Sequence, residues 1–323
     1  MSYDAIVVGG GPAGLSAATW LGRYRRKVLV VDSGDYRNRW VDDVHGFLGS
    51  DPISPRVLRD RARRDLRRYP SVELRPGRVQ AAVADESGTY GIDLEEQQPE
   101  LERLYARRLV LATGVQDVFP DVGGFFEHYG KDVFHCPTCD GFDARGERVA
   151  VFGWSQHIVG FALELLDWAA EIRVVTNGRR FEADDRGRAA LSEHGIAVIE
   201  DEAVELLGTR GQMEGVRLAS GACVDCTRAF FSIEQRPAVG LARQLGCSVG
   251  DEGFVVVDDQ SETTVAGVYA AGDLTPGMQL VPLAVAKGTV AGVACALSLH
   301  GEPPSPHAAT PAPALEDVLG EPS

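Results

Sequence analysis

Cys136 and Cys139 stand three apart in "FHCPTCDGF", with Pro137 between them and Asp140 directly after the second sulfur. Sulfurs at this spacing can close a disulfide across one turn, supply half of a metal site, or sit as inert thiols in a loop. The surrounding residues lean toward redox chemistry and leave the other two readings open. Pro137 restricts the turn, and a thiolate at a helix start is stabilised toward reactivity. A carboxylate at Asp140 opposes thiolate formation, so it suits a proton donor better than a permanent activator. A second pair, Cys223 and Cys226 in "GACVDCTRAFF", raises a four-cysteine zinc site. Those two fall in a strand-like run, where side chains three apart point to opposite faces, so no metal is expected. Cys247 and Cys295 read as small core residues.

The elements on either side of the cysteines suggest what they would exchange electrons with. "AIVVGGGPAGLSAA", Ala5 to Ala18, reads as a buried strand, a glycine turn and a helix start, with Gly9, Gly11 and Gly14 completing GxGxxG around Pro12 and Ala13. The next strand, "KVLVVD", ends on Asp32, near the spacing of an acid that hydrogen-bonds a ribose. Gly9 permits the tight turn, Gly11 lets backbone N–H groups approach a pyrophosphate, and Gly14 lets the helix lie close to the strand. "LVLATG" then gives another buried strand ending at Ala112, Thr113 and Gly114, and "GVYAAGDL" places Gly272 and Asp273 at the end of one more.

A second strand–helix–strand unit begins at "ERVAVFGWSQHIVG". Its three glycine positions hold Gly153, Ser155 and Ile158. Ser155 puts a Cβ where backbone should meet phosphate, and Ile158 is bulky where the helix must hug the strand. No acid at Thr176 to Gly178 is available for an NAD ribose, and Arg179 and Arg180 come late for an NADP phosphate. An NAD(P)H site there is therefore doubtful.

These motifs, with "CPTCDG" between them, resemble the flavoprotein disulfide reductases and most closely the low-molecular-weight thioredoxin reductases, over about residues 3 to 300. The resemblance implies an α/β protein of two Rossmann-like, doubly wound domains, the second inserted in the first. FAD would occupy residues 1–115 plus 249–300, held by Gly9, Gly11, Pro12, Ala13, Gly14, Asp32, His45, Val79, Ala112, Thr113, Gly114, Gly272 and Asp273. Residues 116–248 would form the NADPH-type domain carrying the cysteines, and 301–323 a flexible tail in which Leu315, Val318 and Leu319 could make one docking turn. It further implies a homodimer whose domains rotate to move the dithiol between flavin and a thioredoxin-like protein. Cys139 would face the flavin, Cys136 would exchange with substrate, and Asp140 would move the proton. "SIEQRP" and "MQLVPLAVAKG" depart from that family's pattern, while "VDSGDYRN" and "HGFLGSD" resemble relatives that oxidise small dithiols with oxygen. An oxygen-using dithiol oxidase, an NADPH-dependent reductase and a non-catalytic redox sensor are the alternative readings.

Composition narrows the partners. The net charge of −15, from 32 basic and 47 acidic residues, opposes nucleic-acid or anionic-membrane binding. The opening lacks the pattern of a signal peptide, and Pro282 and Lys287 in the apolar stretch Leu280 to Leu299 suit a buried helix better than a membrane span, so a cytoplasmic enzyme is expected. Ferredoxin is a further candidate donor. From about −400 mV to about −270 mV, two electrons fall by roughly 6 kcal/mol. The stretch Ser54 to Pro70 carries seven arginines on a helical pattern, a basic face that could meet an acidic partner.

Overall fold

The computed structural model describes residues 2–85, 88–95 and 103–301. The sequence tail after Gly301, with Leu315, Val318 and Leu319, lies outside the described residues. The chain divides into two compact units: Met1–Arg39, Arg56–Gln116 and Arg236–Ser323 form the first, and Trp40–Pro55 with Asp117–Gln235 form the second. The short segment Trp40–Pro55, which carries His45, therefore groups with the unit that holds the cysteines.

In the first unit the strand Ser2–Val8 pairs in parallel with Val28–Asp32 on one side and Leu104–Leu111 on the other. Val72–Pro76 extends the sheet beyond Val28–Asp32, and Val268–Ala270 pairs with the C-terminal end of Leu104–Leu111. Ala5 to Val8 and Val28 to Val31 are continuous apolar runs because both faces of this parallel sheet are covered. An antiparallel pair, Val79–Ala84 and Tyr90–Leu94, closes the other side. The helices Pro12–Arg23 and Val281–Leu297 lie against one face. Their close approach explains the small residues of the second helix: a Cβ at Gly288 would stand 2.1 Å from the Ala13 carbonyl oxygen, and one at Gly292 2.6 Å from that of Ala17. No helix among the described residues is long and apolar enough to cross a membrane.

The second unit repeats the plan with a parallel sheet in the order Ala197–Ile199, Glu171–Val175, Arg148–Phe152, Arg228–Phe231 and Val133–Phe134. A three-stranded antiparallel sheet, Ala203–Thr209, Gln212–Leu218 and Cys223–Asp225, accompanies it. Cys223 is exposed and Cys226 buried, and no group of three His, Cys, Asp or Glu suited to a metal occurs among the described residues. Two parallel α/β sheets, one in each unit, are the Rossmann-like architecture the motifs imply.

Candidate active site: a disulfide turn and two glycine turns

Cys136 and Cys139 are joined by a disulfide, with Cα atoms 5.3 Å apart. Their turn is the one-turn helix Pro137–Asp140, begun by Pro137 because proline fixes φ and needs no hydrogen-bond partner for a missing N–H. Cys136 caps it: the Cys139 N–H donates to Cys136 Sγ at 3.1 Å, and the Asp140 N–H donates to the Cys136 carbonyl at 3.1 Å. A thiolate formed at Cys136 would thus already face a backbone donor, the arrangement that favours the charged sulfur. Gly141, directly after the turn, is required by packing. A Cβ there would meet the Trp168 indole at 2.4 Å.

Asp140 is 6% exposed. Burial, which disfavours the charged carboxylate, pushes it up to about 7, while His45 pulls in the opposite direction and Asp143 adds a like charge. A carboxyl that titrates near neutrality can both give and take a proton, which a surface aspartate cannot. His45, in the segment that groups with the cysteine-bearing unit, meets two acids. Its Nε2 lies 3.1 Å from Asp143 Oδ2 and its Nδ1 3.3 Å from Asp51 Oδ1.

In the first glycine turn, Gly9 has φ +115°, and a Cβ there would stand 2.3 Å from the Ala112 carbonyl oxygen. A Cβ at Gly14 would fall 1.8 Å from the Gly9 carbonyl oxygen. At Gly11 an added Cβ meets nothing within 4 Å, which leaves open the face where a phosphate would lie. The helix that follows starts with Pro12 and Ala13 and has no acid in its first turn. Backbone donors and the positive end of the helix dipole are therefore free to face an anion. These residues fit the pyrophosphate of a dinucleotide such as FAD.

Further predicted positions lie in the same unit. Thr113 Oγ1 donates to the Ala238 carbonyl, Gly114 has φ +68°, and Val79 packs at the edge of the core at the start of its strand. Gly272, φ +76°, touches Ala13, since a Cβ there would stand 2.8 Å from Ala13 Cβ. Asp273 is paired with Arg37 at 3.2 Å, and Arg37 also donates to Gln279 at 2.6 Å. Lys287 ties down the same loop, donating to the carbonyls of Gly272, Thr275 and Pro276. Asp32 is buried at the strand end, where it accepts from the Gly34 N–H, the Tyr36 hydroxyl and Arg63.

That last contact corrects the reading of the arginine-rich helix. The helix, Pro55–Leu66, ends earlier than Pro70 and does not present all its arginines to solvent. Arg59 is buried and stacks 4.0 Å over the Tyr36 ring, and Arg63 binds both Asp32 and Tyr36. Only Arg56, Arg61, Arg64, Arg67 and Arg68 remain exposed. Arg59 and Arg63 stand one helical turn apart, a spacing that puts them on one face; nothing in the sequence identified Tyr36 and Asp32 as their partners.

Residues 3–288 match the family described as pyridine nucleotide-disulphide oxidoreductase. The chain belongs to that family. The protein named "Probable thioredoxin reductase" in Arthroderma benhamiae is 36% identical over 186 residues, which cover 57% of this chain and less than half, 46%, of that one. A thioredoxin reductase of Claviceps purpurea is 31% identical over 297 residues, covering 90% of this chain and 92% of the other. Among solved structures, an oxidoreductase from Agrobacterium tumefaciens superposes with a TM-score of 0.81 at 36% identity, covering 93% of this chain and 99% of that one. The protein is a flavin-dependent, thioredoxin reductase-like oxidoreductase.

Within this oxidoreductase the second glycine turn is built differently from the first. Gly153 has φ +159°, and a Cβ there would strike Ile158 Cδ1 at 2.2 Å. Ile158 is fully buried against it, at the head of the helix His157–Glu164. Two acceptors of the turn, one backbone and one side chain, are also engaged. The Trp154 carbonyl accepts from the Glu182 N–H, and the Gln156 side-chain oxygen accepts from the Asp184 N–H. Arg179, one of the two arginines near the strand end, stacks 4.3 Å over the Trp154 ring.

Proposed function

We propose that this oxidoreductase passes electrons between FAD and a thioredoxin-like protein through Cys139 and then Cys136, without drawing them from NADPH at its second nucleotide turn. The observation that carries the reading is the disulfide turn itself: two sulfurs bonded across one helical turn, with a buried acid of near-neutral affinity for protons immediately after them. FAD, when bound, supplies or accepts the two electrons. Gly9, Gly11, Gly14, Asp32 and Asp273 are the residues that would hold it.

Once the pair is reduced, the Cys136 thiolate attacks one sulfur of the substrate disulfide, and that S–S bond breaks. The departing substrate sulfur takes a proton, for which Asp140 is the donor. Cys139 then attacks Cys136 Sγ, breaking the mixed disulfide, releasing the second substrate thiol and re-forming Cys136–Cys139. The substrate gains two electrons and the dithiol loses two. Cys136 suits the outer role because its sulfur faces a backbone N–H that stabilises the thiolate.

The electron donor is proposed from the second turn. Ser155 stands at the position of Gly11, the buried Ile158 at that of Gly14, and Arg179 stacks on Trp154, so ferredoxin or another protein reductant is favoured over NADPH. The protein is proposed to act in the cytoplasm as a homodimer. Trapping tests the exchange: a Cys139→Ser variant, reduced and mixed with an oxidised thioredoxin, is expected to hold a mixed disulfide through Cys136. If no thioredoxin adduct forms and the native enzyme instead consumes oxygen with small dithiols, the oxidase reading replaces this one.

A further inference from the structure

Asp32 ends the strand Val28–Asp32 and is 8% exposed. Its carboxylate lies directly against the first glycine turn, since a Cβ added at Gly10 would stand 2.1 Å from Asp32 Oδ2. Among the described residues three donors reach it. Arg63, from the helix Pro55–Leu66, and the Tyr36 hydroxyl both donate to Oδ2, while the Gly34 N–H donates to Oδ1 at 3.0 Å. A carboxylate oxygen accepts about two hydrogen bonds, so Oδ2 is filled by the chain itself and Oδ1 retains one acceptor position for a ligand donor such as a hydroxyl. The plane of an aspartate carboxylate turns about a broad torsion, and a fixed partner on one oxygen is what sets it.

Arg63 is such a partner because it is held in its turn. Its guanidinium also donates to the Tyr36 hydroxyl. Arg59, one helical turn earlier, is buried, stacks 4.0 Å over the Tyr36 ring and donates to Asn38 Oδ1 at 2.9 Å. Burial, and after it the hydrogen bond to Asp32, pushes the Tyr36 phenol up to about 12, so it stays a donor to the carboxylate. We propose that Arg63 is a positioning residue for FAD: by filling Oδ2 of Asp32 together with Tyr36, it reserves Oδ1 for a hydroxyl of the adenosine ribose and so sets how strongly the site selects for that hydroxyl. The inference rests on the proposed role of Asp32 in holding FAD.

The test is flavin binding to the full chain, titrated with FAD and with an FAD analogue whose adenosine ribose lacks both hydroxyls. The native chain is expected to prefer FAD by about tenfold, roughly the worth of one hydrogen bond to a charged group. In Arg63→Met that preference is expected to fall to about twofold or less. Tyr36→Phe, which loses only the hydroxyl, should give an intermediate ratio. A purely structural loss would weaken both flavins alike, so an unchanged ratio in Arg63→Met overturns the inference. A native chain that binds the two flavins equally also overturns it, because Asp32 would then not meet the ribose. The readout needs neither reductant nor thioredoxin; a chain that shows the expected ratios but does not exchange with thioredoxin would sink the proposed function and leave the role of Arg63 standing.

Discussion

In the first glycine turn the third position is Gly14, where an added Cβ would stand 1.8 Å from the Gly9 carbonyl oxygen, whereas the second turn carries Ile158 there, its Cδ1 2.2 Å from where a Cβ on Gly153 would stand. Both turns join a buried parallel strand to a helix, and both begin on a glycine of positive φ. The first keeps its inner positions bare, so its backbone can approach a ligand. In the second, the side chain at the third glycine position has folded back over the first glycine and become part of a hydrophobic core with Val151, Val159 and Val174. Ile158 thus serves the packing of the second unit's strand, turn and helix.

Four substitutions probe the two turns and the chemistry beside them. The largest effect is expected for Gly14→Val. Its Cβ would overlap the Gly9 carbonyl, so the helix must lift from the strand at a cost of about 3 kcal/mol or more, and the purified chain should be colourless. Next, Ile158→Ala empties a fully buried site and should cost about 2–5 kcal/mol in chemical denaturation. The same variant should gain no NADPH affinity by calorimetry, because Ser155 and the Trp154–Arg179 stack stay in place; tight NADPH binding would mean Ile158 alone closes the cradle.

A third, intermediate effect concerns where the second unit's chemistry now resides. Asp140 is raised from 3.8 to about 7 in the folded protein. The folded state therefore holds this proton where the unfolded chain has released it, and stability falls as pH rises from about 4 to about 7. Asp140→Asn removes that loss. The variant should be more stable than the native chain at pH 8 by a few kcal/mol at most, with the gain vanishing near pH 4, while its disulfide exchange slows. The smallest effect is expected at Gly11, whose φ of −77° suits any residue. Gly11→Ala should leave the flavin-free melting point unchanged yet weaken FAD binding by about tenfold, roughly 1.4 kcal/mol.

Much of this was legible in the sequence for definite reasons. GxGxxG followed by "KVLVVD" gives both the turn and the strand after it, because each glycine answers a steric demand that its neighbours make. The Cys–Pro–x–Cys spacing allowed a one-turn disulfide as one of three readings, and the two sulfurs are joined across that turn. The substituted second turn was readable as a phosphate cradle with side chains in it, though not that Ile158 would turn back onto Gly153. Contacts between residues remote in sequence were not readable. Arg63 was read as part of an open basic face, but Asp32 lies 31 positions earlier and no local period links them. Nor did anything local show that the His45 ring would meet an acid nearly a hundred positions away on the dithiol turn.

In the proposed route no electrons enter from NADPH through the second turn. The decisive measurement is anaerobic reduction of the flavin-loaded protein, following loss of flavin colour and counting the thiols formed at Cys136 and Cys139. Reduced ferredoxin should bleach the flavin and open the disulfide, while NADPH and NADH at micromolar levels leave both unchanged. Rapid bleaching by micromolar NADPH would contradict it.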